Sequence, residues 1–207
     1  AAQLQYSGAD YLMVAYADEG VELRSKGITV PIAVMNPEPE AFDQMIEFSL
    51  EPEIYSLRLL RDFEAVLARG GVENYPVHLK LNTGMNRSGL DKRDIPELLD
   101  FMKGRRTLML RSMFSHLAAA DDPAEDEFTL GQIRLFGEMT EMVRPHFPYK
   151  IIRHILNSAG IERFPQYAFD MVRLGIGLYG VGPLPGLEPV SSFKTHIASI
   201  RRITPEQ

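Results

Sequence analysis

Short apolar runs alternate with amphipathic stretches of helix length along most of this 207-residue chain, and that alternation limits the possible folds more than any single residue does. Tyr11–Ala15, Pro31–Met35, Glu53–Ser56, Val77–Leu81, Leu108–His116, Ile151–Leu156 and Phe169–Leu174 read as seven strands. Between them, Asp18–Lys26, Glu38–Phe48, Leu57–Arg69, Asp94–Gly104 and Thr129–Arg144 carry apolar residues at helical spacing, with Gly27 and Gly70 as stops. Parallel neighbours need crossovers of about a dozen residues or more, so strand, helix, strand repeated in this way describes a parallel sheet covered by helices. A doubly wound sheet places a Gly-rich turn after its first strand, and none follows Tyr11–Ala15. An α/β barrel of the (β/α)8 type needs eight strands, so the expectation is such a barrel lacking its first strand. Ala1–Gly8 reads as the end of a helix with a glycine stop and no strand ahead of it.

With 45% hydrophobic and 24% charged residues the chain can bury one sizeable core. It has no cysteine, which excludes disulfides, thiolate metal sites and thiol nucleophiles together. A net charge of -6 without a long basic run argues against a nucleic-acid partner. No apolar stretch approaches the length of a membrane span, and the N-terminal residues lack the layout of a signal peptide. The expectation is a cytoplasmic protein without nucleic-acid or membrane partners.

The run His78-Leu79-Lys80-Leu81-Asn82-Thr83-Gly84-Met85-Asn86-Arg87-Ser88-Gly89-Leu90 carries the first chemical signal. Strand alternation sends His78, Lys80 and Asn82 to one face and Val77, Leu79 and Leu81 to the other. Inside a barrel, an amine and the guanidinium of Arg87 would share a poorly solvated place, where a lysine loses its proton easily. A plain strand and Gly-rich turn with a surface arginine fits the same residues. Two later loops, Asn157-Ser158-Ala159-Gly160 and Gly175-Ile176-Gly177, follow the sixth and seventh strands. With one strand added in front they occupy positions seven and eight, where barrels commonly hold a phosphate through backbone N–H groups.

Lys80–Gly89, Phe114-Ser115-His116-Leu117, Leu156-Asn157-Ser158-Ala159 and Met171–Gly180 together resemble the fold-type III alanine racemases, in the same order and with comparable spacing. The resemblance runs from Tyr11 to the segment Lys194–Ile203. It implies a barrel binding pyridoxal 5'-phosphate (PLP) over residues 1–190 and the beginning of a β domain over 191–207. It implies that Ser158, with the backbone of Asn157, Gly175 and Ile176, binds the cofactor phosphate, that His116 lies against the pyridine ring, and that Met35 packs near it. Arg173 matches an arginine facing the pyridine nitrogen. Guanidinium only donates, so that nitrogen stays largely unprotonated, which weakens the ring as an electron sink while still permitting proton exchange at Cα. Arg87 is expected to direct the substrate, and Lys80 matches a lysine that carbon dioxide carboxylates in many family members.

The departures shape the expectation as much as the matches. The family's Schiff-base lysine lies at the end of its first strand, in a segment without a counterpart here, and its opposing tyrosine comes from the second domain of the partner subunit. The 207 residues alone are therefore expected to be an inactive fragment, its parent a dimer interconverting L- and D-alanine for peptidoglycan synthesis. Asn82 stands where the family often has aspartate, which resembles racemase domains fused behind a muramyl-peptide ligase, and Leu174 stands where it often has proline. A single-domain PLP-binding homeostasis barrel, a phosphate-binding barrel without PLP and a noncatalytic scaffold are the alternatives.

Overall fold

The structure, a computed structural model, describes residues 1–182 and 186–205. Helix α1 (Ala2–Tyr6) ends at Gly8, whose φ of +86° suits glycine, and leads into β1 (Leu12–Val14). There follow α2 (Ala17–Ser25), β2 (Ile32–Val34), α3 (Phe42–Glu47), β3 (Leu50–Ile54), α4 (Leu57–Arg69) and β4 (Tyr75–Lys80). The second half runs α5 (Ile95–Met102), β5 (Leu108–Phe114), α6 (Asp126–Val143), β6 (Ile152–His154) and α7 (Ser158–Arg163). Local chemistry sets these bounds. The Ser56 hydroxyl accepts the Leu59 N–H and starts α4, and Gly70 ends it.

The strands form one six-stranded sheet in chain order, and every neighbouring pair is parallel. The sheet is strongly curled. In a flat sheet β1 and β5 would lie about 19 Å apart, four spacings of roughly 4.8 Å. Instead Arg111 Nε on β5 donates to the hydroxyl of Tyr11, the residue before β1, at 3.1 Å. The outer face of the curl is apolar and the helices cover it: Ile54, Val77, Leu79 and Leu81 are buried, as are Leu60, Phe63 and Leu67 of α4. The inner face is polar, for Glu51, Glu53, His78, Lys80, Ser112 and His154 all project there and are buried. A bulge opposite Val77 and His78 leaves Arg111 of β5 without a partner residue.

Two expectations need correction. The third strand is Leu50–Ile54 rather than Glu53–Ser56; its two glutamates and Pro52 disguise a strand buried along its whole length. Phe169–Leu174, expected as the seventh strand, forms no strand. It lies beside β6 through only two backbone bonds, Asp170 N–H to Arg153 O and Arg173 N–H to Leu156 O, each 3.0 Å. Phe169 adopts φ +55°, which breaks an extended run at its start, and no described residue pairs with the segment's far edge. The region expected to begin a second domain shows no helix or strand over residues 191–205, and residues 206–207 lie outside the described part.

The outer core depends on aromatic packing. Phe63, fully buried, meets Phe42 edge-on at 5.0 Å and Tyr75 at 5.5 Å. Phe63→Ala is expected to cost about 3–5 kcal/mol, read as a lowered urea midpoint with unchanged slope.

Candidate active site

The polar groups gather where the strands end. Arg173, in the segment that follows α7, reaches the ends of β5 and β6 with its guanidinium. Its Nη1 donates to His154 Nδ1 at 2.8 Å and to His154 O at 3.3 Å. Its Nη2 donates to Ser115 O at 2.6 Å and Ile155 O at 3.3 Å, and stands 3.4 Å from His116 Nδ1. The group also lies 5.3 Å over the Phe114 ring. Nε takes no partner among the described residues, so one N–H remains for a ligand. Burial brings the Arg173 pKa down to about 10 against the opposing charge of Glu53, which leaves the group cationic at neutral pH.

His116 is the imidazole expected beside the ring. Burial first, then the positive charges of Arg173, Lys80 and Arg87, pull its pKa down to about 4, so it is neutral near pH 7. Ser158 follows β6 and opens α7, whose preceding residue Asn157 caps it by accepting the Gly160 N–H at 2.9 Å. The Ser158 Oγ accepts the N–H groups of Gly175 at 3.1 Å and Gly177 at 3.2 Å. At Gly177 a Cβ would come within 2.9 Å of Leu174 Cδ1, the tip of an exposed side chain that can move aside, and at 3.5 Å would only touch the Ser158 Oγ. The structure thus brings Arg173 to His116, and Ser158 to Gly175 and Gly177, with Asn157 as the cap ahead of the serine and Ile176 between the two glycines. Met35 follows β2, exposed by 37%, and makes no hydrogen bond to this group.

Lys80 is buried as expected, but its neighbours differ from those the motif suggests. Its Nζ lies 3.4 Å from Glu53 Oε1 on β3 and 4.6 Å over the Phe114 ring. Burial is the main cause that lowers its pKa; Glu53 opposes, Arg173 adds to the lowering, and Arg87 contributes least. Arg87 is exposed and forms no ion pair among the described residues, leaving its charge available to a ligand. Burial pushes the Glu53 carboxyl pKa up while Lys80 pulls it down. Glu51 and Glu53 were missed by the sequence reading. Their signal was the alternation Leu50-Glu51-Pro52-Glu53-Ile54, matched by His78 and Lys80 two apart on the neighbouring strand.

Asn82 organises the loop after β4. Its amide nitrogen donates to Asn86 Oδ1 and Asp91 Oδ1, both at 2.9 Å, and its oxygen accepts the N–H groups of Gly84 and Asn86. A carboxylate could not donate and would face Asp91. Gly89 closes the loop at φ +121°, where a Cβ would sit 2.7 Å from Asn82 N. A cavity of about 330 Å³ opens on the lumen between β1 and the segment after Phe169, with Ala33, His78, His154, Met171 and Arg173 in its wall.

Polar groups and small-residue loops gathered at the carboxyl ends of a curled parallel sheet define a barrel of the (β/α)8 class. Residues 1–183 match the alanine racemase N-terminal domain, and the chain belongs to that family. Alanine racemase of Synechocystis sp. is 34% identical over 207 residues, covering 96% of this chain and 55% of that protein. The alanine racemase of Clostridium difficile 630, solved in complex with cycloserine, aligns with a TM-score of 0.80 at 33% identity, covering 89% of this chain and 50% of that one. The Bartonella henselae alanine racemase, solved with covalently bound pyridoxal phosphate, aligns at 0.77 with 25% identity, covering 90% and 52%. The chain spans about half the length of the relatives it matches.

Two outcomes follow from this geometry. Asn82→Asp is expected to lower stability by about 1–3 kcal/mol through the lost donor and the facing Asp91 carboxylate, measured by thermal unfolding. Because the pKa of His116 is about 4 when folded and that of a free histidine about 6.5, the unfolded chain binds the extra proton between these values. Stability should therefore fall as pH drops from 6.5 towards 4. His116→Asn should flatten that slope in urea titrations, with His154, also depressed by burial, supplying what remains.

Proposed function

We propose that this chain is the cofactor-binding barrel of an alanine racemase, holding PLP and interconverting L- and D-alanine as part of the whole protein. The observation that carries the reading is the convergence of Arg173 on His116 beside the Ser158 loop. These residues fit PLP. Ser158 already gathers two backbone N–H groups onto one oxygen, as a phosphate requires, and retains its own hydroxyl hydrogen to donate. The free Arg173 Nε–H suits a ring nitrogen, and the neutral His116 suits a ring face.

When bound, PLP supplies a conjugated sink for the electrons left when Cα loses its proton. The chain's residues set the conditions. Arg173, still cationic, holds a ring nitrogen as an acceptor. Arg87 offers an unpaired cation to the carboxylate of alanine. Racemisation needs a group to take a proton on one face and another to return one on the opposite face. Neither is assigned within these 207 residues, where Lys80 is tied to Glu53 and His116 faces Arg173. The reading extends to a homodimer working in the cytoplasm and supplying D-alanine for peptidoglycan, and to a second domain beginning near residue 191.

Lys80 is the proposed carboxylation position: burial frees its amine, which gives a carbamate and a proton with carbon dioxide. Chain equilibrated with ¹³C-bicarbonate should show a carbamate carbonyl resonance that Lys80→Arg abolishes; no resonance would leave Lys80 as the cation of Glu53 alone. PLP should quench the chain's tyrosine fluorescence on titration, with alanine racemisation undetectable. Pyridoxal lacking the phosphate should bind at least about tenfold more weakly, and Ser158→Ala should weaken PLP by about 10- to 100-fold. Equal binding of the two ligands would remove the phosphate assignment.

A further inference from the structure

A continuous file of hydrogen bonds crosses the lumen from Arg173 to the foot of the sheet. His154 Nε2 lies 3.1 Å from Ser112 Oγ, Ser112 Oγ lies 2.6 Å from His78 Nδ1, and His78 Nε2 lies 2.7 Å from Glu51 Oε2. Ser112, His78 and His154 are buried, and the Glu51 side chain is 12% exposed. A second file reaches the same oxygen. Arg111 Nε donates to Tyr11 Oη, and Tyr11 Oη to Glu51 Oε2, each at 3.1 Å.

The end groups leave this file only one direction. Guanidinium donates and never accepts, so His154 Nδ1 is bare and its proton sits on Nε2, donated to Ser112 Oγ. The Ser112 hydrogen then has one acceptor among its partners, His78 Nδ1. The proton of His78 therefore sits on Nε2 and goes to Glu51, a carboxylate able only to accept. Every link donates away from Arg173 and towards Glu51, so each bond polarises the next.

We propose that Glu51 is a positioning residue for Arg173, acting through His78, Ser112 and His154. Its carboxylate fixes the tautomer of His78 and the hydroxyl rotor of Ser112. His154 is thereby kept as the acceptor that orients Nη1, which fixes the plane of the guanidinium and with it the Nε–H that has no partner among the described residues. The value of this for a cofactor rests on the reading of Arg173 as the partner of the PLP ring. The relay itself is a property of the chain without PLP.

The test is ¹⁵N NMR of the 207-residue chain, which reports histidine tautomers and the Arg173 Nε–H directly. Both His78 and His154 should carry their protons on Nε2. Glu51→Leu should move the His78 proton to Nδ1 and speed exchange of the Arg173 Nε–H by about tenfold or more, whereas Glu51→Gln, whose amide oxygen still accepts, should restore both. Ser112→Ala should disturb Arg173 while His78 keeps its Nε2 proton on Glu51, and it stands in for Glu51→Leu should that variant fail to fold. A proton on His154 Nδ1 in the unaltered chain would overturn the relay, as would an Arg173 Nε–H indifferent to Ser112→Ala. Added PLP should shift the Arg173 Nε–H resonance; a working relay with no such shift would sink the cofactor reading and leave the relay standing.

Discussion

The Arg173 guanidinium holds together parts of the chain that no ladder joins. Its two terminal nitrogens take carbonyls from the ends of β5 and β6, and those bonds fasten a segment that pairs with β6 at only two backbone positions. Once that segment is fixed, Gly175 and Gly177 reach Ser158 Oγ, and the loop around Ser158 takes shape from both sides. A side chain thus does here what strand pairing does elsewhere in the sheet. An arginine suits the task because its donors form a rigid fork and its charge survives burial.

Burying such a cation has consequences for the rest of the lumen. An uncompensated charge away from water costs several kcal/mol or more. The inner face accordingly carries Glu53 beside Lys80, and Glu51 at the end of the relay from Arg173. Both carboxylates come from β3, between the strands that carry Ala33 and Lys80. The lumen is therefore a connected set of donors and acceptors rather than a row of separate ion pairs. The apolar work of folding is left to the outer face, where the helices bury Ile54, Leu79 and Phe63.

Much of this was legible in the sequence where the determining physics is local. Helix α4 covers Leu57–Arg69 as its apolar spacing and Gly70 indicate, and β4 presents His78 and Lys80 inward as simple alternation requires. The loops around Ser158 and Gly175 were readable because small residues are needed wherever backbones approach closely. β3 was misread because Pro52 and two glutamates argue against a buried strand until their partners on β4 are known. The lowering of the Lys80 pKa is expected from burial together with Arg87; burial is the main cause, but the cation that matters more is Arg173, since Arg87 remains exposed. The exchange of aspartate for Asn82 also acquired its reason only from the loop, where one amide must donate and accept at once.

The sequence by itself determined the parallel strand-and-helix order and the family resemblance, and singled out Ser158, His116 and Arg173 as candidate site residues. These depend on residue type and on spacing along the chain, which are one-dimensional quantities. Only the tertiary structure decided that Phe169–Leu174 is held by a guanidinium rather than a ladder, that Lys80 answers to Glu53, and that Glu51 communicates with Arg173. Those outcomes depend on which acceptors a curled sheet brings within about 3 Å of a donor, and no spacing along the chain records the curvature that brings them there.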